Sequence, residues 1–175
     1  MDDRPLTVVQ FGDLSRDQRS QLYGDDPDPF EMGDDRLHWQ PKLRHVGLED
    51  REGRLVACAG LVRTRVQAGD GPPQEAIGLG GVIVAVAYRG RGLARQVVAE
   101  ALRLGATLGP ELAMLFCLPS RVGLYERLGF SAIEPPVLVH QPDGPVCVEL
   151  VVMWRTIRAG AGLPAGAVHL LTLPF

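Results

Sequence analysis

The stretch VIVAVAYRGRGLARQ, from Val82 to Gln96, sets an apolar run directly before three arginines and two glycines and then opens into a helical pattern. Residues of these types at this spacing can hold an anion. The first N–H groups of a helix have no intrahelical acceptor and sit at the positive end of its dipole, so a strand-to-helix turn offers donors to a phosphate. Gly90 and Gly92 carry no side chain that would keep a phosphate from that backbone, and Arg89, Arg91 and Arg95 add forked, charged donors. The same residues also suit a solvated basic corner between packed elements, and the turn alone leaves both readings open. Two nucleotide-binding strings do not fit. The sequence has no GxxxxGK[ST], and a GxGxxG reading fails because Arg95 stands where the third small residue belongs.

The elements that must position this turn follow from pattern. Residues 6–11, LTVVQF, predict a strand, and SRDQRSQLYG after it a short helix with Ser15 as N-cap and Gly24 as its stop. Residues 25–41 are rich in Asp, Pro and Gly and predict an irregular loop. LRHVGLED and RLVACAGLVRTRV flank a Glu52-Gly53 turn and predict an antiparallel hairpin. QAGDGPPQ then separates this hairpin from the strand that leads into the glycine turn.

Leu93, Val97, Ala101, Leu104 and Leu108 recur at helical spacing, with Arg91, Arg95, Glu100 and Arg103 off that face. Gly109-Pro110 stops the helix before the buried-strand run ELAMLFCL. A helix between two strands predicts a crossover with those strands parallel and near neighbours. SRVGLYERLG predicts a short helix closed by Gly129, and PPVLVHQ and VCVELVVMW predict two further strands joined across a PDG turn. Glu149 interrupts the second of these, on the face of Cys147 and Val151. The tail, neutral apart from Arg158 and apolar at its end, is expected to pack on the body. It is also expected to bring the terminal carboxylate at Phe175 towards an acceptor site.

Composition narrows the function classes. A protein of 175 residues, 46% of them hydrophobic, is able to bury a core without staples, and residues 1–175 are expected to form one domain. A net charge of −3 supplies no general positive field, which argues against nucleic acid and anionic membrane as partners. Cys58, Cys117 and Cys147 are odd in number and form no CxxC pair, so neither a disulfide framework nor a thiolate metal site is expected. The acidic N-terminus lacks the features of a signal peptide and no window is apolar enough to span a bilayer. A cytoplasmic location is the expectation.

A phosphate turn that follows several antiparallel strands, and precedes a helix, a strand and LYERLGF, resembles the GNAT superfamily of N-acetyltransferases. Its acetyl-CoA signature [QR]xxGx[GA] is filled by Arg89, Gly92 and Ala94, after the apolar strand VIVAV, and LYERLGF resembles the family's tyrosine-bearing helix. The two markers span Val82 to Phe130. More loosely, an upstream HW, the GGVIV strand and the late PDG hairpin resemble the aminoglycoside 2′-N-acetyltransferase branch.

The resemblance implies a mixed α/β fold whose central, mostly antiparallel sheet is flanked by helices, and acetyl-CoA as acetyl donor. It implies that the pyrophosphate rests on the turn from Arg89 and Gly90 through Arg91, Gly92, Leu93 and Ala94 to Arg95. The pantetheine arm would add along Val84, Ala85 and Val86 as an extra strand. Tyr125 is implied as the acid that protonates the departing sulfur, since a phenol stays protonated at neutral pH. The resemblance further implies a small-molecule amine as acceptor, attacking directly. Exposed sheet edges in this fold allow a homodimer.

In many relatives a carboxylate on the strand before the signature serves the deprotonation of the amine; here GLGGVIV carries Gly80 and Gly81 instead. The candidates left for a base are Glu75, His38, His45, His140 and Glu149. Phe30, Met32 and Trp39 are candidates for the acceptor wall, and Asp25, Asp26, Asp28, Glu31, Asp34 and Asp35 give the same loop a negative charge. The missing carboxylate motivates a second reading, an acyl-CoA-binding or regulatory module without turnover.

Overall fold

The computed structural model describes residues 6–31, 37–134, 136–160 and 162–175. Met32, Asp34 and Asp35 lie outside them. Strand β1 (Thr7–Phe11) leads into helix α1 (Arg16–Tyr23) through a reciprocal capping box. Ser15 Oγ accepts from the Gln18 N–H at 3.1 Å, and Gln18 Oε1 accepts from the Ser15 N–H at 2.9 Å. Gly24 closes the helix at φ 59°, a region open to glycine at little cost.

Strands β2 (Arg44–Glu49) and β3 (Leu55–Ala68) form the antiparallel hairpin that the Glu52-Gly53 turn predicts, and β4 (Gln74–Val84) continues the meander antiparallel to β3. A 3-10 turn at Val86–Tyr88 then leads to helix α2 (Leu93–Ala106). Its buried residues include Leu93, Val97, Ala101 and Leu104, the face that the apolar spacing marks out; Leu108 falls just beyond the helix. Strand β5 (Leu112–Cys117) lies beside β4 and parallel to it, so β4, α2 and β5 make the predicted crossover.

Another 3-10 turn, Pro119–Arg121, precedes helix α3 (Val122–Glu126). Five short strands complete the sheet: β6 (Ser131–Ala132), β7 (Val137–Val139), β8 (Val146–Cys147), β9 (Val151–Thr156) and β10 (Val168–Leu170). Their order is β6-β9-β5-β4-β3-β10-β7-β8, with β2 also paired to β3 and β1 paired to β2. Only β4 with β5 and β7 with β10 run parallel among the described pairs, so the sheet is mostly antiparallel, as the family resemblance implies.

The run VCVELVVMW departs from the single strand expected of it. It divides into β8 and β9, because Val146–Cys147 pair with β7 while Val151–Thr156 pair with β5 and β6 at a different part of the sheet. Glu149 falls in the connection and is exposed, so it shares no strand face with Cys147 and Val151.

The core lies on both faces of the sheet. One cluster joins α2 and α3 to β3, β4 and β5 through residues such as Leu61, Ile77, Val97, Leu115 and Tyr125. A second gathers Met114, Val139, Val152, Leu170 and Phe175, and a third, smaller one joins Leu22 of α1 to Leu55, Cys58 and Ile83. The tail therefore packs on the body as its composition predicts, with Phe175 buried. No helix of the described residues is long and apolar enough to cross a membrane.

Candidate active site

The sheet opens where β4 and β5 part. Their pairing runs from Ala76 with Leu112 to Leu79 with Leu115 and goes no further. The next residues of β4 carry a register shift against β3, with Gly81 at φ 60°, and a bulge of this kind bends a strand away from its neighbour. Beyond it Val82, Ile83 and Val84 face Phe116, Cys117 and Leu118 across a cavity of about 820 Å³. A strand edge without a partner keeps its N–H and C=O groups available to a ligand.

At one end of this cavity stands the glycine turn. Gly90 and Gly92 both hold φ near +77°, at 76° and 77°, and a Cβ added to either would meet nothing within 4 Å. The glycines are thus required by backbone conformation, and the space beside them is open. Gly92 caps α2, and no side chain caps its first turn, so the N–H groups of Leu93, Ala94 and Arg95 are free of intrahelical acceptors. The turn is braced from outside: the Tyr88 hydroxyl donates to Asp50 at 2.7 Å, and Arg54 donates to both. Arg89 Nε donates to the Val84 carbonyl at 3.1 Å, which ties the turn to the end of β4.

Arg89, Gly90, Gly92, Leu93, Ala94, Arg95 and Val84 line the cavity; Ala85, Val86 and Arg91 do not. The physical reason lies in the backbone. Ala85 still pairs with β3, its N–H donating to the Val56 carbonyl at 2.9 Å, and the backbone then winds into the 3-10 turn at Val86–Tyr88, which ends the extended strand and carries Val86 off the cavity wall. Arg91 turns outward, its guanidinium 5.0 Å over the Tyr88 ring.

Tyr125 reaches the cavity from α3. Its ring is buried and meets Phe130 edge-on at 6.1 Å, and burial, with the neighbouring Cys117, pushes its phenol up to about 12. The group is therefore a proton donor at neutral pH. Cys117 lies beside it with its thiol pushed up to about 11 by burial, which keeps it out of the nucleophilic thiolate form.

The opposite end of the cavity is aromatic and carries Lys42. Trp39, Phe116 and Phe175 meet edge to face in series, at 5.9 Å and 5.0 Å. Phe30 and Glu31 line the nearer side, and Glu31 pairs with Arg121 at 3.1 Å. Lys42 lies on a floor of glycine: a Cβ on Gly60 would meet its Cγ at 2.5 Å, and one on Gly80 its Cε at 2.9 Å. Gly60 and Gly80 are directly paired across β3 and β4, so the absence of both side chains makes one channel for the lysine stem.

The expected bases lie elsewhere. Glu75 sits in β4 rather than in a turn, paired with Arg63 at 3.4 Å and exposed. His45 stacks on Phe11, donates to the Gly12 carbonyl, and is pushed by burial towards its neutral form away from the cavity. His38, His140 and Glu149 are not among the lining residues. No motif marks Lys42. Its signal lies in composition: it is the single lysine among the 18 basic Lys and Arg residues.

A family model described as an acetyltransferase (GNAT) domain matches residues 16–133. No curated protein matches. Among solved structures, a GCN5-related N-acetyltransferase from Kribbella flavida is 26% identical over 50% of this chain, which spans 22% of that relative's length, with a TM-score of 0.46. The GNAT family N-acetyltransferase YhbS of Escherichia coli, in complex with CoA, is 19% identical, covers 98% of this chain and 93% of its own, and has a TM-score of 0.57. Escherichia coli ElaA is also 19% identical with a TM-score of 0.57, over 86% of this chain and 99% of its own. The two Escherichia coli likenesses share the fold, and no branch within the superfamily is singled out by them. With the family model covering more than half of its length, from α1 through the glycine turn and the tyrosine helix, the chain belongs to the GNAT acetyltransferase superfamily.

Proposed function

We propose that the protein is an acetyl-CoA-dependent N-acetyltransferase that acts on a primary amine of a small molecule by direct attack. The observation that carries this reading is the parting of β4 from β5 after Leu79. It leaves one open strand edge with an anion-binding turn at one end and a buried phenol beside it. Acetyl-CoA fits this cleft: the space that a Cβ at Gly90 or Gly92 would fill is open, and the first amides of α2 have no other acceptor.

Bound there, the thioester supplies an activated acetyl group with a thiol leaving group. Gly90, Gly92, Leu93, Ala94 and Arg95 hold the pyrophosphate through backbone N–H groups, and Arg89 and Arg95 add charge. An anion at such a helix start gains about 0.3–2 kcal/mol from the dipole alone, before charge-assisted hydrogen bonds. Val82–Val84 take the pantetheine amides along the strand edge. Tyr125 donates its proton to the departing sulfur, a role suited to a phenol that burial holds protonated.

Direct attack is favoured over an acetyl-cysteine route because Cys117, the cavity's thiol, is held neutral by burial. The aromatic series of Trp39, Phe116 and Phe175 suits an acceptor with an apolar or aromatic body. A homodimer through exposed strand edges, a cytoplasmic location and a single domain over residues 1–175 belong to the same reading.

The test is thiol release from acetyl-CoA in the presence of an amine panel, together with calorimetric titration of coenzyme A. Affinity together with acceptor-dependent release supports the enzyme. Affinity without release from any amine, aromatic or aliphatic, leaves the acyl-CoA-binding module instead.

A further inference from the structure

Acetyl transfer to an amine needs a place for the proton of the acceptor's ammonium, and β4 offers glycine where a carboxylate could have stood. The space left by Gly80 is filled from another element. A Cβ there would meet the Lys42 Cε at 2.9 Å, and Gly60, paired opposite, leaves room for the rest of the stem. The lysine is thereby laid flat across β3 and β4, with its amine delivered into the cavity that also holds Tyr125 and Cys117. Resting on the acetyltransferase reading above, we propose that Lys42 is the proton acceptor for the acceptor amine, in place of a strand carboxylate.

Several observations converge on this role. Nζ has one weak contact, the Gln40 carbonyl at 3.5 Å, and no ion pair among the described residues. Burial pushes the amine down to about 8, into the range where a lysine can exchange protons near neutral pH. The basic residues of this protein are otherwise all arginine, which cannot give up its proton in a protein; the one lysine is in the cavity.

Among the described residues, the surroundings of Nζ have few competitors. β3 and β4 present Gly60, Gly80 and Gly81 under the stem. From β2, His45 feels the lysine's charge but is occupied by the Gly12 carbonyl. β5 contributes Cys117 and α3 Tyr125, both held protonated by burial. The terminal carbon and oxygen of Phe175, the last residue of the sequence, lie 2.9 Å from the same Gly80 Cβ position. Elsewhere on the cavity wall, Asp26, Asp28 and Glu31 come from the early loop, and Arg89, Arg95 and Arg121 from the glycine turn and the start of α3.

The protons balance. Neutral Nζ takes one from the acceptor ammonium, which leaves the free amine and a Lys42 ammonium. The amine lone pair forms the N–C bond as the C–S bond breaks, and sulfur receives the Tyr125 proton. The remaining nitrogen proton, lost as the amide forms, returns to Tyr125, and Lys42 passes its own proton to solvent. One proton is released per turnover.

The experiment compares wild type, Lys42→Arg and Lys42→Met with acetyl-CoA and two kinds of acceptor. One kind is arylalkylamines that are ammonium ions at pH 7; the other is counterparts with a trifluoromethyl group on the amine-bearing carbon, which are already neutral at that pH. With the ordinary amines both variants are expected to lose about 100-fold in kcat/KM at pH 7 and to lose a rise in rate near pH 8. With the neutral amines the deficit shrinks below about tenfold, and coenzyme A affinity stays unchanged throughout.

Because Lys42 is the sole lysine, isotope-labelled lysine gives one side-chain resonance, expected to titrate near 8. Full activity in Lys42→Arg shows that only the positive charge matters and overturns the proposal. So does a lysine resonance titrating at the ordinary 10.5, or a Lys42→Met profile that keeps the wild-type bend. These outcomes leave the acetyltransferase reading intact. Wild type without acceptor-dependent thiol release from any amine removes that reading, and the lysine's role with it.

Discussion

Replacing Lys42 by Met should make the protein more stable at neutral pH. The lysine stem crosses Gly60 and Gly80, and an unbranched thioether of similar length can occupy the same channel, so the packing is retained. What disappears is a cation held out of water. Burial lowers the Lys42 amine from 10.5 to about 8, and each tenfold of that difference corresponds to about 1.4 kcal/mol of preference for the neutral form. Because the group is part-buried rather than sealed, we expect Lys42→Met to gain about 2–3 kcal/mol at pH 7. For a protein of this size that amounts to roughly 5–10 °C in Tm.

The pH dependence carries the sign. The unfolded lysine holds its proton up to about 10.5 and the folded one only to about 8, so the penalty is complete below pH 8 and gone above pH 10.5. Wild-type stability therefore rises relative to Lys42→Met across that window. Tyr125, Cys117 and Cys58, all pushed up by burial, act in the opposite direction at alkaline pH; being present in both proteins, they cancel in the difference. Urea unfolding of both proteins at pH 7, 8, 9 and 10 measures it. A difference that is absent at pH 7, or constant across the series, would refute the reasoning, because it means that the ammonium is solvated or paired in the fold.

Three further outcomes follow from the geometry. Gly92→Glu places a carboxylate at the start of α2, at φ 77°, and should weaken coenzyme A binding more than 100-fold by calorimetry while costing about 1–2 kcal/mol of stability. Tyr125→Phe keeps the buried ring and removes the proton donor. Its kcat should fall about 100-fold, with coenzyme A affinity within about twofold of wild type. Gly78→Ala sets a Cβ 2.6 Å from the Phe175 ring and should cost about 1–3 kcal/mol in urea unfolding, with the aromatic end of the cavity disturbed and the glycine turn unaffected.

Much of the region from Val82 to Phe130 is legible in sequence because its determinants are local. The apolar period fixes the buried face of α2, Gly90 and Gly92 mark left-handed backbone, and a helix between two strands dictates a parallel crossover. Where pairing is non-local, the pattern misleads. VCVELVVMW is one apolar run in sequence, yet its halves find different partners, β7 for one and β5 with β6 for the other. Nothing within the run records that choice. β10 is similar: three residues of a neutral tail become a strand because β3 and β7 leave a place between them.

The candidate site divides along the same line. The glycine-turn side is written in adjacent residues; Val84 lines the cavity, and Ala85 and Val86, which lead into the 3-10 turn, do not. The aromatic, lysine-bearing end is assembled by register. Gly60 and Gly80 are ordinary glycines until β3 and β4 pair them, and Lys42 is an ordinary loop cation until its stem lies in the channel they leave. A glycine where a functional side chain could stand is therefore an incomplete observation. It removes one group and makes room for another, and the group that enters can come from anywhere the fold brings close. Here composition alone points to it, through a lone lysine in a protein that otherwise uses arginine. Since arginine cannot act as a proton acceptor near neutral pH, that choice of residue has a chemical meaning that a solvated surface cation lacks.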